Sequence, residues 1–230
     1  MKNIDLNLPL RQKLLKIDWE LRLIELFTAD TPNGKKISIM LEEIGFKYKT
    51  TKIDIYKGEQ FKSEFKKISP FGKIPVIIDH DNNENVFESG AILIYLGEKS
   101  NKFYEKNNRT KINQWLMAQM GLIGPLIGQH HQFHHFNPGK SKFGEERYFK
   151  ITKKLYEDLD ERLKFSKFLA GKNYTIADIA TWPWIARHEW HDIGLQNYEN
   201  LTRWYLEIAS RKAVVKGYDL MNSGAIIPKP

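Results

Sequence analysis

Two stretches of this 230-residue chain combine residue types that can hold and activate a small ligand. The first, residues 69–93, reads SPFGKIPVIIDHDNNENVFESGAIL. Within it Pro75-Val76-Ile77-Ile78 reads as an apolar strand opened by proline, a position that need not donate to a ladder. Only X-Pro bonds make a cis peptide cheap, so Ile74-Pro75 is the place to expect a cis turn. Such a turn leaves the N–H and C=O of Ile74 free at a sheet edge for an extended ligand. The chain then turns through Asp81-Asn82-Asn83, forms a short strand at 85–87, and enters a helix at Glu88-Ser89 with Ser89 as its N-cap. A helix N-terminus carries unpaired N–H groups and partial positive charge, so a carboxylate can dock there. Glu88 beside it can accept from an ammonium group. Taken alone, each half is a strand opened by proline or a helix capped by serine. In this order and spacing they suit a small peptide with an α-amino acid head.

The second stretch is Thr31-Pro32-Asn33-Gly34, between a predicted strand and a predicted helix. A thiol held there meets a helix N-terminus, which favours the thiolate. The Thr31 hydroxyl and the Asn33 amide are donors that can solvate a sulfur. Seen alone, the loop reads equally as an ordinary strand-to-helix turn. The chain contains no cysteine, so any thiol must belong to a ligand, and a disulfide or a Cys-ligated metal is excluded.

These residues need elements to hold them. An apolar arm, rich in leucine and interrupted by Pro9, reaches to about Glu20. Residues 22–27 read as a buried strand. Ile37, Met40, Leu41 and Ile44 fall at helical spacing from Lys35, and Gly45 stops the helix. A second strand is expected over 48–55. A short helix over 58–67 would have Phe61, Phe65 and Ile68 on one side. The order strand, helix, strand, helix, strand, strand, helix needs a parallel crossover and ends in a hairpin before its last helix, a thioredoxin-like arrangement. After a polar linker at 100–108 the pattern is helical throughout, over about 109–128, 144–164, 175–191 and 199–211. Thr175 and Asp178 make a capping box with Tyr174 and Ile179 as a hydrophobic staple. Pro183 should kink its helix. The divisions are an arm over 1–20, an α/β domain over 21–102 and an all-α domain with its tail over 109–230.

Composition narrows the function classes. Hydrophobic residues are 41% and charged residues 28%, as in an ordinary soluble globular protein. The formal charge is +8, but the lysines are dispersed, which favours a solvated surface over a nucleic-acid groove. The most apolar stretch, 115–128, is too short for a membrane span and holds Gln119 and Pro125. The N-terminus lacks a signal-peptide core, so a cytoplasmic location is expected. His130, His131, His134 and His135 sit at i, i+4 spacing, which a metal could use, but no cysteine or carboxylate accompanies them. His188-Glu189-Trp190-His191 is one residue short of the zinc-protease spacing. Trp115, Trp182 and Trp184 read as core and interface aromatics.

The KIP and ESGAI segments resemble the glutathione site of the glutathione transferases, and the capping box at 175–178 resembles one in their second domain. The resemblance runs from about Leu23 to about Gly217. TPNGKK followed by IMLEE resembles the bacterial disulfide-reducing transferases of the nu class and the related yeast nitrogen regulator. It implies an α/β N-terminal thioredoxin-like domain, an all-α C-terminal domain, and glutathione as cosubstrate without a metal. It implies catalytic roles for Thr31 and Asn33, which replace the usual Tyr, Ser or Cys. It places Gln60 on a glutathione end group, Lys73 on the glycine carboxylate, Ile74 on the ligand backbone, Glu88 and Ser89 on the amino-acid head, and Arg147 within reach, across a dimer. The expected reaction is reduction of a small disulfide by glutathione in a homodimer. The alternatives are conjugation to an electrophile, a non-catalytic glutathione-binding regulator, and a basic interaction protein.

Overall fold

The computed structural model describes residues 24–230. The N-terminal arm and the start of the first expected strand lie outside the described residues. Strand β1 (Ile24–Thr28) buries Ile24, Leu26 and Thr28 on alternate positions. Helix α1 (Pro32–Ile44) follows, then β2 (Tyr48–Lys52), a 3-10 turn at Glu59–Phe61 and the single turn α2 (Ser63–Lys66). Strands β3 (Val76–Asp79) and β4 (Glu84–Phe87) form a hairpin that leads into α3 (Ser89–Ser100). The sheet order is β2-β1-β3-β4, with β1 and β2 parallel and the remaining pairs antiparallel. This is the expected thioredoxin-like arrangement.

Three local expectations shift. The second strand stops at Lys52; Ile53 N–H still donates to Thr28 O at 2.8 Å, and its side chain packs with Phe65 and Val76. The helix expected over 58–67 is broken at Lys62, whose extended backbone separates the 3-10 turn from α2. Phe61 consequently stays exposed while Phe65 is buried.

Helix α1 is the hub. Its outer face does not reach solvent: it packs on the sheet side, on α3, and on two helices of the second domain, α7 (Ile176–Ile185) and α9 (Lys212–Tyr218). Pro32 occupies its first turn, where the missing N–H costs nothing, and Thr31 accepts from Gly34 N–H at 3.1 Å as the N-cap. A Cβ on Gly34 would lie 2.4 Å from both Ala29 O and Thr28 Oγ1, so only glycine lets the helix start so close to the strand end. Gly45, at φ 75°, ends the helix in the left-handed region.

The second domain is helical: α4 (Arg109–Ala118), α5 (Gly124–His130), α6 (Lys142–Lys164), α7, α8 (Glu199–Ala209) and α9. The helix expected over 109–128 extends to 135 but carries two π turns, Gln119–Ile123 and His131–His135. The first π turn precedes Gly124-Pro125, and proline's ring and missing N–H favour a widened preceding turn. Every residue of α7 is buried, so it runs through the domain centre. Its capping box forms as expected; the helix ends two residues after Pro183, short of the expected 191. Among the described residues no helix is long and apolar enough to cross a membrane.

Candidate glutathione cleft

A cleft lies where the α1 N-terminus, the turn before β3 and the α3 N-terminus meet. It is lined by Asn33, Ser69, Phe71, Lys73, Ile74, Pro75, Phe87, Glu88 and Ser89. Five residues expected from sequence, Asn33, Lys73, Ile74, Glu88 and Ser89, are brought together here. The Ile74-Pro75 bond is cis. Ile74 precedes β3, and no partner for its backbone N–H or C=O occurs among the described residues. Ser69, missed from sequence, shapes this turn: its hydroxyl donates to Lys73 O at 2.7 Å and accepts from Lys73 N–H at 2.9 Å.

Ser89 is not the N-cap. Glu88 takes that position at φ 70° and ψ 118°, and Ser89 is the first helical residue. The sharp turn at Glu88 sends the Ser89 hydroxyl inward, where it accepts from Lys36 Nζ at 3.3 Å. Among the described residues no side chain caps α3, so its first N–H groups are open to a ligand anion. Lys36, unforeseen from sequence, is 1% exposed and also donates to Gln119 Oε1 at 2.7 Å. Burial holds its pKa well below the ordinary lysine value, with the charge of Glu88 opposing this.

Asn33 is held from the other domain. Trp184 Nε1 donates to Asn33 Oδ1 at 3.2 Å. An indole N–H can only donate, so the amide oxygen must face Trp184 and the –NH2 group, without a partner among the described residues, is left as the donor. Trp184 is itself confined. The His131 ring stacks on it at 5.8 Å, and a Cβ on Gly124 or Gly128 would approach its ring to 3.4 Å. Thr31 does not line the cleft; its oxygen accepts the cap bond from Gly34, which leaves the hydroxyl proton available two residues before Asn33.

Two expected residues stand apart. Gln60 donates through Nε2 to Ile55 O at 3.1 Å, and its Oε1 is buried without a partner among the described residues. Arg147, on α6, lines a separate depression with Phe143, Glu146, Lys150 and Ile151.

The histidines form a buried network. Tyr156 O–H, whose one partner among the described residues is His191 Nδ1 at 2.6 Å, donates to it. His191 Nε2 must then carry the proton that binds His131 Nε2 at 2.7 Å. Burial lowers the pKa of His130 to about 4 and of His131 to about 3, so both are neutral near pH 7. Among the described residues no group of three or more His, Cys, Asp or Glu could hold a metal.

Sequence models of the two glutathione S-transferase domains match this chain, the N-terminal domain at residues 24–98 and the C-terminal domain at residues 123–212. The chain belongs to the glutathione S-transferase family. It is 45% identical over 198 residues to the disulfide-bond oxidoreductase YfcG of Escherichia coli, covering 83% of this chain and 92% of that protein. A glutathione transferase of Burkholderia graminis, solved with two glutathione molecules per subunit, is 35% identical with a TM-score of 0.83, over 94% of this chain and 97% of that one. One of Pseudomonas putida, solved with one glutathione disulfide per subunit, is 35% identical with a TM-score of 0.81, over 93% and 99%.

Proposed function

We propose that this protein is an enzyme that reduces small disulfides with glutathione bound in the cleft described above. The glutathione carboxylate of the amino-acid head docks on the open α3 N-terminus and Ser89. Its ammonium faces Glu88, its backbone runs along Ile74, and its glycine carboxylate faces Lys73. The sulfur lies toward the α1 N-terminus, where the Asn33 –NH2 and the Thr31 hydroxyl donate to it. Gln60 stands outside the cleft lining, so its end-group contact requires its side chain to turn away from Ile55 O.

The chemistry follows from the missing cysteine. A bound glutathione thiolate attacks one sulfur of the substrate disulfide; that S–S bond breaks and the leaving thiolate takes a proton. A second glutathione thiolate attacks the glutathione sulfur of the mixed disulfide. The products are glutathione disulfide and two thiols. The protein stabilises thiolate charge and aligns three sulfurs without forming a covalent bond itself. One observation carries this reading: an amide whose free –NH2 is fixed by Trp184, at a helix N-terminus, beside an open peptide edge, in a chain with no thiol of its own.

Steady-state reduction of hydroxyethyl disulfide, coupled to glutathione reductase, tests the activity. Turnover well above the uncatalysed exchange is expected. Tight glutathione binding with no turnover would favour the regulator, and turnover confined to an aryl halide would favour conjugation. Ser89→Ala is expected to weaken glutathione binding by about 1.5–3 kcal/mol, the range for a hydrogen bond to a charged group. Calorimetric affinity equal to that of the unmodified protein would move the carboxylate elsewhere.

The reading also includes a cytoplasmic homodimer. The lack of cysteine suits a reducing compartment. Arg147 enters the reading through the dimer, as a contribution to the second subunit's cleft. Light scattering during size-exclusion chromatography is expected to give twice the chain mass; a monomer would remove Arg147 from the site.

A further inference from the structure

Two adjacent lysines on α1 are equally buried, yet their surroundings differ. Lys35 Nζ has a carboxylate, Asp30 Oδ1 at 2.8 Å, and the carbonyl of Tyr218. Among the described residues Lys36 Nζ has only neutral partners: Gln119 Oε1, Ser89 Oγ, and the Met120 sulfur at 3.9 Å. Met120 also crowds Gly90, where a Cβ would meet its side chain at 3.1 Å, so this wall is tightly packed. A buried ammonium with no counter-ion is costly and tends to give up its proton.

A ligand anion in the cleft would lie close to this amine. The Ser89 hydroxyl separates Lys36 from the cleft, and the open N–H groups of α3 lie on its far side. We propose that Lys36 is a counter-charge for the ligand's amino-acid carboxylate, reached through Ser89, and that docking of this carboxylate draws a proton onto Lys36. The proposal rests on the glutathione reading of the cleft and adds a linkage to it: carboxylate binding and Lys36 protonation favour each other. Among the described residues Glu88 is the charged group that acts on Lys36; it lines the cleft and its charge favours the protonated amine.

The probe is S-methylglutathione, whose thioether cannot ionise, so the thiol contributes no proton of its own. Titration calorimetry at pH 7.5 in buffers of different ionisation enthalpy counts the protons exchanged. About one proton taken up per site is expected, with affinity falling about tenfold per pH unit as pH rises. Lys36→Met, which keeps the apolar volume and removes the amine, should bind at least tenfold more weakly and take up no proton. Binding by the unmodified protein with no buffer dependence would overturn the proposal while leaving the cleft assignment standing. Uptake that persists in Lys36→Met would give the proton to another group and overturn it equally. No binding of the probe at all would overturn the cleft assignment, and the proposal with it.

Discussion

Asn33→Ala is expected to slow glutathione-dependent disulfide reduction by about 10²–10³-fold, the range for deleting one donor aimed at developing charge. The loss should fall on kcat, with the glutathione KM nearly unchanged, because the proposed docking anchors the tripeptide at Ser89, Glu88 and Ile74 rather than at its sulfur. The thiol pKa of bound glutathione, followed by thiolate absorbance, should rise. Trp184 sharpens this test. Trp184→Phe removes the N–H that holds Asn33 Oδ1 and keeps an aromatic ring against His131. It frees the amide to turn, so it should lower kcat by about tenfold, a loss near 1.4 kcal/mol. In an Asn33→Ala background it should add almost nothing, the signature of two residues acting through one donor. Thr31 needs separate care, since Thr31→Ala also removes the α1 cap at a stability cost of about 1 kcal/mol. A folded Thr31→Ala, Asn33→Ala double variant with full activity would leave thiolate stabilisation to the helix end alone.

The largest stability effect is expected at Asp178. This fully buried carboxylate accepts four hydrogen bonds. Oδ1 takes Leu169 N–H at 2.9 Å and Trp204 Nε1–H at 2.9 Å; Oδ2 takes the N–H and the hydroxyl of Thr175, each at 3.0 Å. The group therefore caps α7, fixes the 168–171 turn and ties α8 to both. Asp178→Ala removes half of the capping box, worth about 1 kcal/mol. It also orphans buried donors at about 1–3 kcal/mol each. A total of about 3–5 kcal/mol is expected, allowing for partial relaxation and overlap. Urea denaturation monitored by tryptophan fluorescence measures it. Asp178→Asn should lie between, since an amide still accepts on one side but turns an –NH2 toward Thr175 N–H. A loss below about 1 kcal/mol in Asp178→Ala would mean that water replaces the carboxylate and that the network does not anchor the domain. Since α7 carries Trp184, the more destabilised variants should also show a looser Asn33 and a reduced kcat.

The same contrast between short-range and long-range contacts separates what was legible in the chain from what was not. The Thr175–Asp178 box was readable because its partners are three residues apart and one helical turn dictates their meeting. Gly45 as a stop was readable for the same reason, and so was the strand after Ile74, although Pro75 lies just before β3 rather than opening it: local backbone chemistry admits few alternatives. The absence of cysteine needed no structure at all, and it assigns every sulfur in the proposed reaction to the ligand. The strand and helix order followed from hydrophobic period, which is why the thioredoxin-like sheet and the helical second domain were expected correctly. Ser89 shows where that logic stops. Its residue type fits an N-cap, but Glu88 at a positive φ takes the position, and the buried amine of Lys36 draws the hydroxyl inward. Lys36 itself looked like one more dispersed lysine, because period marks a face as buried without saying that another domain covers the opposite one. The Asn33 to Trp184 bond joins residues 151 apart in sequence, and only the packing of α7 on α1 creates it. Side-chain direction across two packed domains depends on how the helices seat against each other, and no spacing within a single chain segment encodes that.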